Sequence, residues 1–255
     1  MNERQKITIL VPTFNEEPNI RECLESVKWA DEIFVVDSFS TDRTLDIAGE
    51  YTSRIVQHEY INSAAQKNWA IPQATHPWVM IVDADERVTP GLRDEIGDIL
   101  SKDGDGYGGF YIYRINHFLG KRIRHCGWDR DDVLRLFRRD LGRYQEREVH
   151  ADVILKGRTR HLRHKILHYT FSSFDQYLKK MYRYASWAAG DRAKRTRRVH
   201  WHQLTMRPAF RFFKQYILRL GFLDGKEGLI LCLLSAYSVF LKYARLYERQ
   251  KKDRA

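Results

Sequence analysis

The chain has 255 residues, 43% of them apolar, 13% aromatic and 30% charged, which excludes collagen-like, low-complexity and largely disordered proteins. Its net charge of +11 hides a division: residues 1–100 carry nine Lys and Arg against eighteen Asp and Glu, and the rest carry 35 against 15. An acidic half therefore precedes a half suited to polyanions such as nucleic acid, phosphorylated glycans or an anionic membrane.

The first hundred residues alternate in period. Short apolar or β-branched runs at 7–11, 32–36, 54–57 and 78–82 are separated by helix-like stretches at 17–29, 42–51, 62–71 and 90–101. Helix-start signals agree: Asn15 precedes an acidic first turn containing Pro18, Thr41 precedes Asp42, and Thr89-Pro90 opens the fourth helix. The pattern predicts parallel strands covered by helices, with ligands beyond the carboxyl ends of the strands. Residues 104–118 are rich in Gly and Tyr and alternate, which predicts further, mixed sheet. A basic stretch then runs through His150, and from Phe171 the pattern is helical. Two regions follow, 1–169 and 170–255.

Pro12 and the acids after it end the first apolar segment too early for the core of a signal peptide. The apolar run at 229–241 is shorter than the ~20 residues of a membrane span, so it is expected in a core or at an interface. Cys23, Cys126 and Cys232 are far apart and lack metal-finger spacing, which excludes a disulfide framework and structural zinc and implies a reducing compartment.

Polar residues gather at the predicted strand ends, in Pro12-Thr13-Phe14-Asn15-Glu16, in Asp37-Ser38-Phe39-Ser40-Thr41-Asp42 and in Asp83-Ala84-Asp85-Glu86. Neither G-x-G-x-x-G nor a Walker loop follows the first strand, which disfavours dinucleotide dehydrogenases and P-loop nucleotidases. Asp pairs of the same spacing recur at 103/105 and 129/131, so position and not spacing distinguishes Asp83 and Asp85. At the end of a buried strand, residues i and i+2 point to one side, and both carboxylates can converge on Mg²⁺ or Mn²⁺ bridging to nucleotide phosphates. Helix capping is the ordinary alternative. Asp37, also at a strand end, can accept hydrogen bonds from a ribose or a base edge, or cap the next helix. Lys67 and Asn68 offer a cation and an amide to a nucleotide, unless Lys67 is merely solvated.

In order, Val11 to Glu16, Val35 to Asp42, Gln66-Lys67-Asn68 and Val82 to Glu86 resemble the motifs of family 2 inverting glycosyltransferases of the GT-A fold. Leu134-Arg135-Leu136-Phe137-Arg138-Arg139 through Val149-His150, with Gly221-Phe222-Leu223-Asp224-Gly225-Lys226-Glu227-Gly228, resemble the bacterial branch that includes lipopolysaccharide-core β-glucosyltransferases. The resemblance implies a Rossmann-like, mostly parallel α/β sheet with flanking helices. It implies that Pro12, Thr13, Asn15 and Glu16 line a nucleotide pocket, Asp37 binds base or ribose, and Lys67 and Asn68 hold the diphosphate. Asp83 and Ala84 would lie beside the nucleotide sugar, with Asp85 and Asp83 on the metal. One departure stands out: the family's Glu-Asp base motif is missing, and Tyr144 to His150 occupies about that place. Inverting transfer needs a carboxylate to take the acceptor hydroxyl's proton. Glu146 is the expected base, with Glu148 as alternative, and His150 is a candidate for metal or phosphate; surface pairing of both acids with Arg143 or Arg147 is the competing reading.

Wound at ~100° per residue, residues 206–220 place Phe210, Phe212, Phe213, Tyr216, Ile217 and Leu220 on one arc and Arg207, Arg211, Lys214, Gln215 and Arg219 on the other. Such a helix suits the headgroup layer of an anionic membrane, or packs its apolar arc on the catalytic domain. The cluster Arg192, Lys194, Arg195, Arg197 and Arg198 with His200 and His202 can hold acceptor phosphates or lipid headgroups, or form a solvated face.

The expectation is therefore a metal-dependent inverting hexosyltransferase that uses a nucleotide sugar, UDP by family likeness. Its acceptor would be a hydroxyl of a lipopolysaccharide-core or lipid-linked glycan, and it would sit in the cytoplasm, peripheral on the inner face of the membrane. Transfer to polyprenyl phosphate, which needs no base, is the enzymatic alternative. A nucleic-acid-binding protein is the alternative of another class, disfavoured because no such motif occurs and the acidic rim repels phosphates.

Overall fold

The computed structural model describes residues 4–145, 152–171, 173–193, 196 and 198–252. The chain divides into two compact units, 1–115 with 131–168, and 116–130 with 169–255.

The first unit opens with β1 (Ile7–Thr13), α1 (Glu17–Val27), β2 (Glu32–Asp37), α2 (Thr44–Gly49), β3 (Ile55–Gln57), α3 (Ser63–Ala70), β4 (Trp78–Ile81), β5 (Glu86–Val88) and α4 (Pro90–Ser101). The chain goes on through β6 (Gly109–Phe118), β7 (Lys121–Arg122), β8 (Asp132–Arg138), β9 (Gly142–Tyr144), β10 (Val153–Leu155), β11 (Thr159–His161) and β12 (Ile166–Phe171). The alternation of the first hundred residues is thus realised nearly element for element. The main sheet has the order β3-β2-β1-β4-β8-β6-β12-β5. Its first four strands are parallel, and β8 then joins β4 antiparallel, with Met80 opposite Leu136. The sheet is mixed beyond that point: β6 is antiparallel to β8 and β12 to β5.

Both faces of the parallel strands are covered, so their residues are apolar on both sides. Ile7, Ile9, Val11, Val35 and Met80 pack in one cluster with Ile20, Leu24 and Val27 of α1 and Leu92, Ile96 and Leu100 of α4. Leu10, Phe34, Val36, Val79 and Ile81 pack in another with Ala70 and Phe137. Each fully buried side chain of this size contributes ~1.5–3 kcal/mol. Local signals set the helix starts: Asn62 Oδ1 accepts from Ala65 N at 2.8 Å, and Thr89 Oγ1 from Leu92 N at 3.3 Å.

The second unit contains α5 (Phe174–Ala193), α6 (Trp201–Leu204), α7 (Met206–Phe213) and α8 (Gly225–Lys252), with a wide π-type turn at Lys214–Leu218. Its core joins Leu231, Cys232 and Leu234 of α8 to Phe118, Ile123 and Cys126, with Phe212 and Tyr216 against them. The Gly- and Asp-containing segment before α8 is the keystone here. The buried Asp224 carboxylate accepts from Arg124 N at 3.1 Å and His125 N at 2.8 Å. Gly225 turns at φ +67°, and a Cβ on Gly228 would lie 2.1 Å from the Gly221 carbonyl oxygen. The stretch Gly221–Lys252 is long and apolar enough, by length and composition, to cross a membrane, and a third of its most apolar window is buried in the protein.

Candidate active site

The parallel register brings the carboxyl ends of β1, β2 and β4 to one edge, where Thr13 lies opposite Asp37. Two loops are stitched together there. Asn15 N donates to Ser40 Oγ and Thr41 N to Asn15 Oδ1, both at 2.8 Å. The Asp37 carboxylate, fully buried, accepts from Ser40 N at 2.9 Å, from Ser40 Oγ, and from Gln57 Nε2 at 3.1 Å. Asn15 at φ +52° and Phe39 at φ +61° hold left-handed backbone, a strained state for a non-glycine residue. Phe14 and Phe39 are both more than half exposed beside this buried carboxylate. Thr13 Oγ1 is buried without a hydrogen-bond partner among the described residues. Pro12 completes the strand, and Glu16 Oε2 accepts from Asn19 Nδ2 at 2.8 Å.

A knot of charge follows β4. Lys67 Nζ lies 2.9 Å from Asp83 Oδ1, and Arg135 Nη2 bonds both Asp83 Oδ2 and, at 2.9 Å, Glu86 Oε1. Arg114 Nε lies 3.4 Å from Glu86 Oε1, and Arg114 Nη1 3.5 Å from Asp131 Oδ2. Burial opposes the charge on Asp83, yet the Arg135 guanidinium and then the Lys67 ammonium hold its carboxyl well below the ordinary range. Burial likewise opposes the Lys67 charge, and Asp83 overrides it and raises the ammonium's pKa. Ala84 is buried, and its carbonyl accepts from Arg87 Nη1 at 2.9 Å.

Asp85, two residues beyond Asp83, meets a different strand. Its Oδ2 is 3.5 Å from His168 Nε2, with both side chains largely buried. The antiparallel pairing of β12 with β5 sets His168 opposite Glu86, one residue beyond Asp85. A carboxylate oxygen and an imidazole nitrogen so close are a donor pair for a divalent cation. Among the described residues no group of three such ligands occurs.

Asn68 Nδ2 donates to Tyr144 O at 2.9 Å and Tyr144 N donates to Asn68 Oδ1 at 2.8 Å, so its amide fastens α3 to β9. Lys67 Nζ lies 5.4 Å from the Tyr144 ring centre. Glu146, Glu148 and His150 lie outside the described residues. The structure thus gathers Asp83, Lys67 and Asp85 at one edge and adds Arg135, Glu86 and His168. Sequence reading quoted Arg135 within a resembling segment but gave it no role, and passed over His168, whose trace is a polar residue within an otherwise apolar strand run.

Acidic strand tips braced by buried cations, on a sheet that turns from parallel to antiparallel, are the frame of a GT-A glycosyltransferase domain. The pattern that defines Glycosyl transferase family 2 matches residues 8–150, more than half of the chain, and the chain belongs to that family. It is similar to the lipopolysaccharide core biosynthesis glycosyltransferase LpsC of Rhizobium meliloti, with 28% identity over 95% of this chain and 92% of that protein. An uncharacterized glycosyltransferase of Rickettsia typhi is 27% identical over 98% of this chain and 89% of its own. Among solved structures, S. aureus TarS 1-349 aligns with 98% of this chain and 92% of its own at 17% identity, with a TM-score of 0.46.

Proposed function

We propose that this glycosyltransferase moves a hexose, with inversion, from a UDP-sugar to a hydroxyl of a lipopolysaccharide-core or lipid-linked glycan at the inner face of the cell membrane. The observation that carries the reading is the division of labour among the strand-tip acids. Lys67 and Arg135 hold Asp83, and Asp85 Oδ2 lies 3.5 Å from His168 Nε2. The core-glycan acceptor draws support from the LpsC likeness over nearly the whole of both chains.

Asp37, with Ser40 and Gln57 on its carboxylate, would receive the base or ribose, with the exposed Phe14 and Phe39 in the loops that follow β1 and β2. Pro12, Thr13, Asn15 and Glu16 would form the wall of that pocket, and Ala84 would let the sugar lie close to the backbone after β4. Lys67 and Arg135 fix Asp83 and add positive potential where a diphosphate would lie. Asp85 and His168 would hold the cation; the nitrogen donor favours Mn²⁺ over Mg²⁺. Bound there, a divalent ion supplies charge that stabilises the departing diphosphate. Glu146, or Glu148 in its place, would take the proton of the attacking hydroxyl, so that the new glycosidic bond forms as the bond to the diphosphate oxygen breaks.

A panel of nucleotide sugars tests this by thermal shift and metal-dependent donor hydrolysis, with Asp85→Ala as control. UDP-sugars with Mn²⁺ should stabilise the protein, and Asp85→Ala should abolish the effect. Glu146→Gln should cut transfer to a hydroxyl acceptor by ~10²–10⁴-fold; near-normal turnover would pass the base role to Glu148.

A further inference from the structure

Helix α7 lies against α8 through its arginines, which stay partly in solvent: Arg207 bonds Tyr243 Oη and Arg211 Nε donates to Ser235 Oγ at 2.9 Å, while in the turn that follows the buried Gln215 donates to Cys126 O at 3.1 Å. The apolar arc expected from the sequence divides. Phe212 and Tyr216 turn into the core, whereas Met206, Phe210, Phe213 and Ile217, spaced at helical intervals, are exposed, Phe210 at 62%. Helix α8 repeats the arrangement. Leu231, Cys232, Ser235 and Leu246 are buried, and Leu229, Leu233, Tyr237, Phe240 and Tyr247 line an exposed stripe on the other side, Leu233 at 52%. Trp201, 72% exposed, opens α6, the short helix before α7.

Two adjoining helices with outward apolar stripes make an unusual surface for a protein in water. Charge on the same stretch identifies what covers it. Residues 201–252 contain ten Lys and Arg against three Asp and Glu. Each acid is engaged: Asp224 by Arg124 N and His125 N, Glu227 by Lys121 at 2.8 Å, and Glu248 by Lys252 at 2.8 Å. Aromatic and aliphatic stripes, with the exposed Lys214, Arg219 and Lys226 in the segment that joins α7 to α8 and at the start of α8, match an apolar layer lying under negative headgroups.

We propose that the exposed stripes of α7 and α8 are one docking surface for an anionic lipid bilayer, with Phe210, Phe213 and Leu233 entering the headgroup boundary and Lys214 and Lys226 meeting lipid phosphates. The inference rests on the membrane-side reading above and gives that partner its contact residues. It places α8 in the plane of the membrane and not across it, since its other face is committed to the core of the second unit.

The full chain is tested by co-sedimentation with vesicles of phosphatidylcholine alone or with 30% phosphatidylglycerol, at low and high salt. Anionic vesicles should bind it at least tenfold more strongly than neutral ones, and high salt should release it. Phe210→Glu/Phe213→Glu and, separately, Lys214→Glu/Lys226→Glu should each weaken partitioning at least tenfold with an unchanged melting temperature. Absence of binding to anionic vesicles at low salt, or full binding by both variants, overturns the proposal. Retention after alkaline carbonate washing overturns it in favour of a spanning helix. A dimer in solution that Phe210→Glu/Phe213→Glu dissociates without altering vesicle binding overturns it in favour of a second copy. Mn²⁺-dependent UDP binding is followed in parallel; its loss with vesicle binding intact would sink the donor assignment and leave the docking surface standing.

Discussion

The buried Lys67 and the half-buried Asp83 form an ion pair 2.9 Å long, and Arg135 closes on the same carboxylate from the other oxygen. Two cations on one acid make Asp83 a structural anion as much as a ligand. Its removal leaves Lys67 and Arg135 short of a counter-charge; a broken, fully buried pair costs ~3–5 kcal/mol, and the solvent that reaches Asp83 screens part of this. Asp83→Asn should therefore melt several degrees lower at neutral pH, by less than the ~6–20 °C of a fully buried pair at ~2–4 °C per kcal/mol for a chain of this size.

The same pair gives a pH signature. Asp83 has its pKa depressed by folding, so its contribution is present above the ordinary carboxyl value, about 4, and is lost as pH falls below it. Lys67 has its pKa raised, so its contribution is present below about 10 and is lost as pH rises through the folded value. Melting temperature plotted against pH should fall on both limbs in the wild type. Asp83→Asn should flatten the acid limb, and an unchanged acid limb would contradict the pairing.

Asp85 and His168 should respond differently. Asp85→Ala and His168→Ala each remove one donor of the 3.5 Å pair and leave the Lys67–Asp83–Arg135 contacts in place. Both should keep a near-normal melting temperature and lose on the order of tenfold or more in Mn²⁺ affinity, read by Mn²⁺ paramagnetic resonance and by calorimetry of UDP binding with and without the metal. Full Mn²⁺ affinity in His168→Ala would move the nitrogen ligand elsewhere.

What sequence could and could not disclose follows from distance along the chain. The alternation of β1 to α4 was legible because both faces of each parallel strand are buried and each helix shows its own apolar stripe. The strand-tip acids were legible because strand ends could be located. Arg135 and His168 were not, because antiparallel pairing of β8 with β4 and of β12 with β5 carries them to Asp83 and Asp85 from 52 and 83 residues away, and periodicity holds no record of pairing. Helix α7 was legible as amphipathic, but which part of its apolar arc packs and which stays exposed was not. Ser235 and Tyr243 on α8 receive its arginines, which sets the side that meets α8, and nothing within 206–220 names those partners.

Phe39 presents a trade between stability and binding. Its left-handed backbone costs an ordinary residue ~1–2 kcal/mol, a strain glycine does not carry. Phe39→Gly should raise the melting temperature by about 2–4 °C after the added chain entropy of glycine is subtracted. If the exposed ring stacks on the nucleobase, the same change should weaken UDP binding several-fold, because such stacking is worth ~1–3 kcal/mol. Unaltered UDP affinity with raised stability would remove Phe39 from the base pocket.

The segment ahead of α8 resembles a motif of its branch, and its glycines have a packing reason. At Gly228 an added methyl would lie 2.1 Å from the Gly221 carbonyl oxygen and 2.8 Å from Asp224 Cβ, both parts of a tight turn that cannot give way singly. Relief would displace Asp224, whose carboxylate holds the backbone of Arg124 and His125. Overpacking of this kind costs ~1–3 kcal/mol, so Gly228→Ala should lower the melting temperature by at least about 3 °C. Asp224→Ala should do the same by leaving the backbone N–H groups of Arg124 and His125 without their acceptor. Since the two changes disturb one turn, the double variant should melt only slightly below the worse single one; additive losses would show that the glycine and the acid support separate structures.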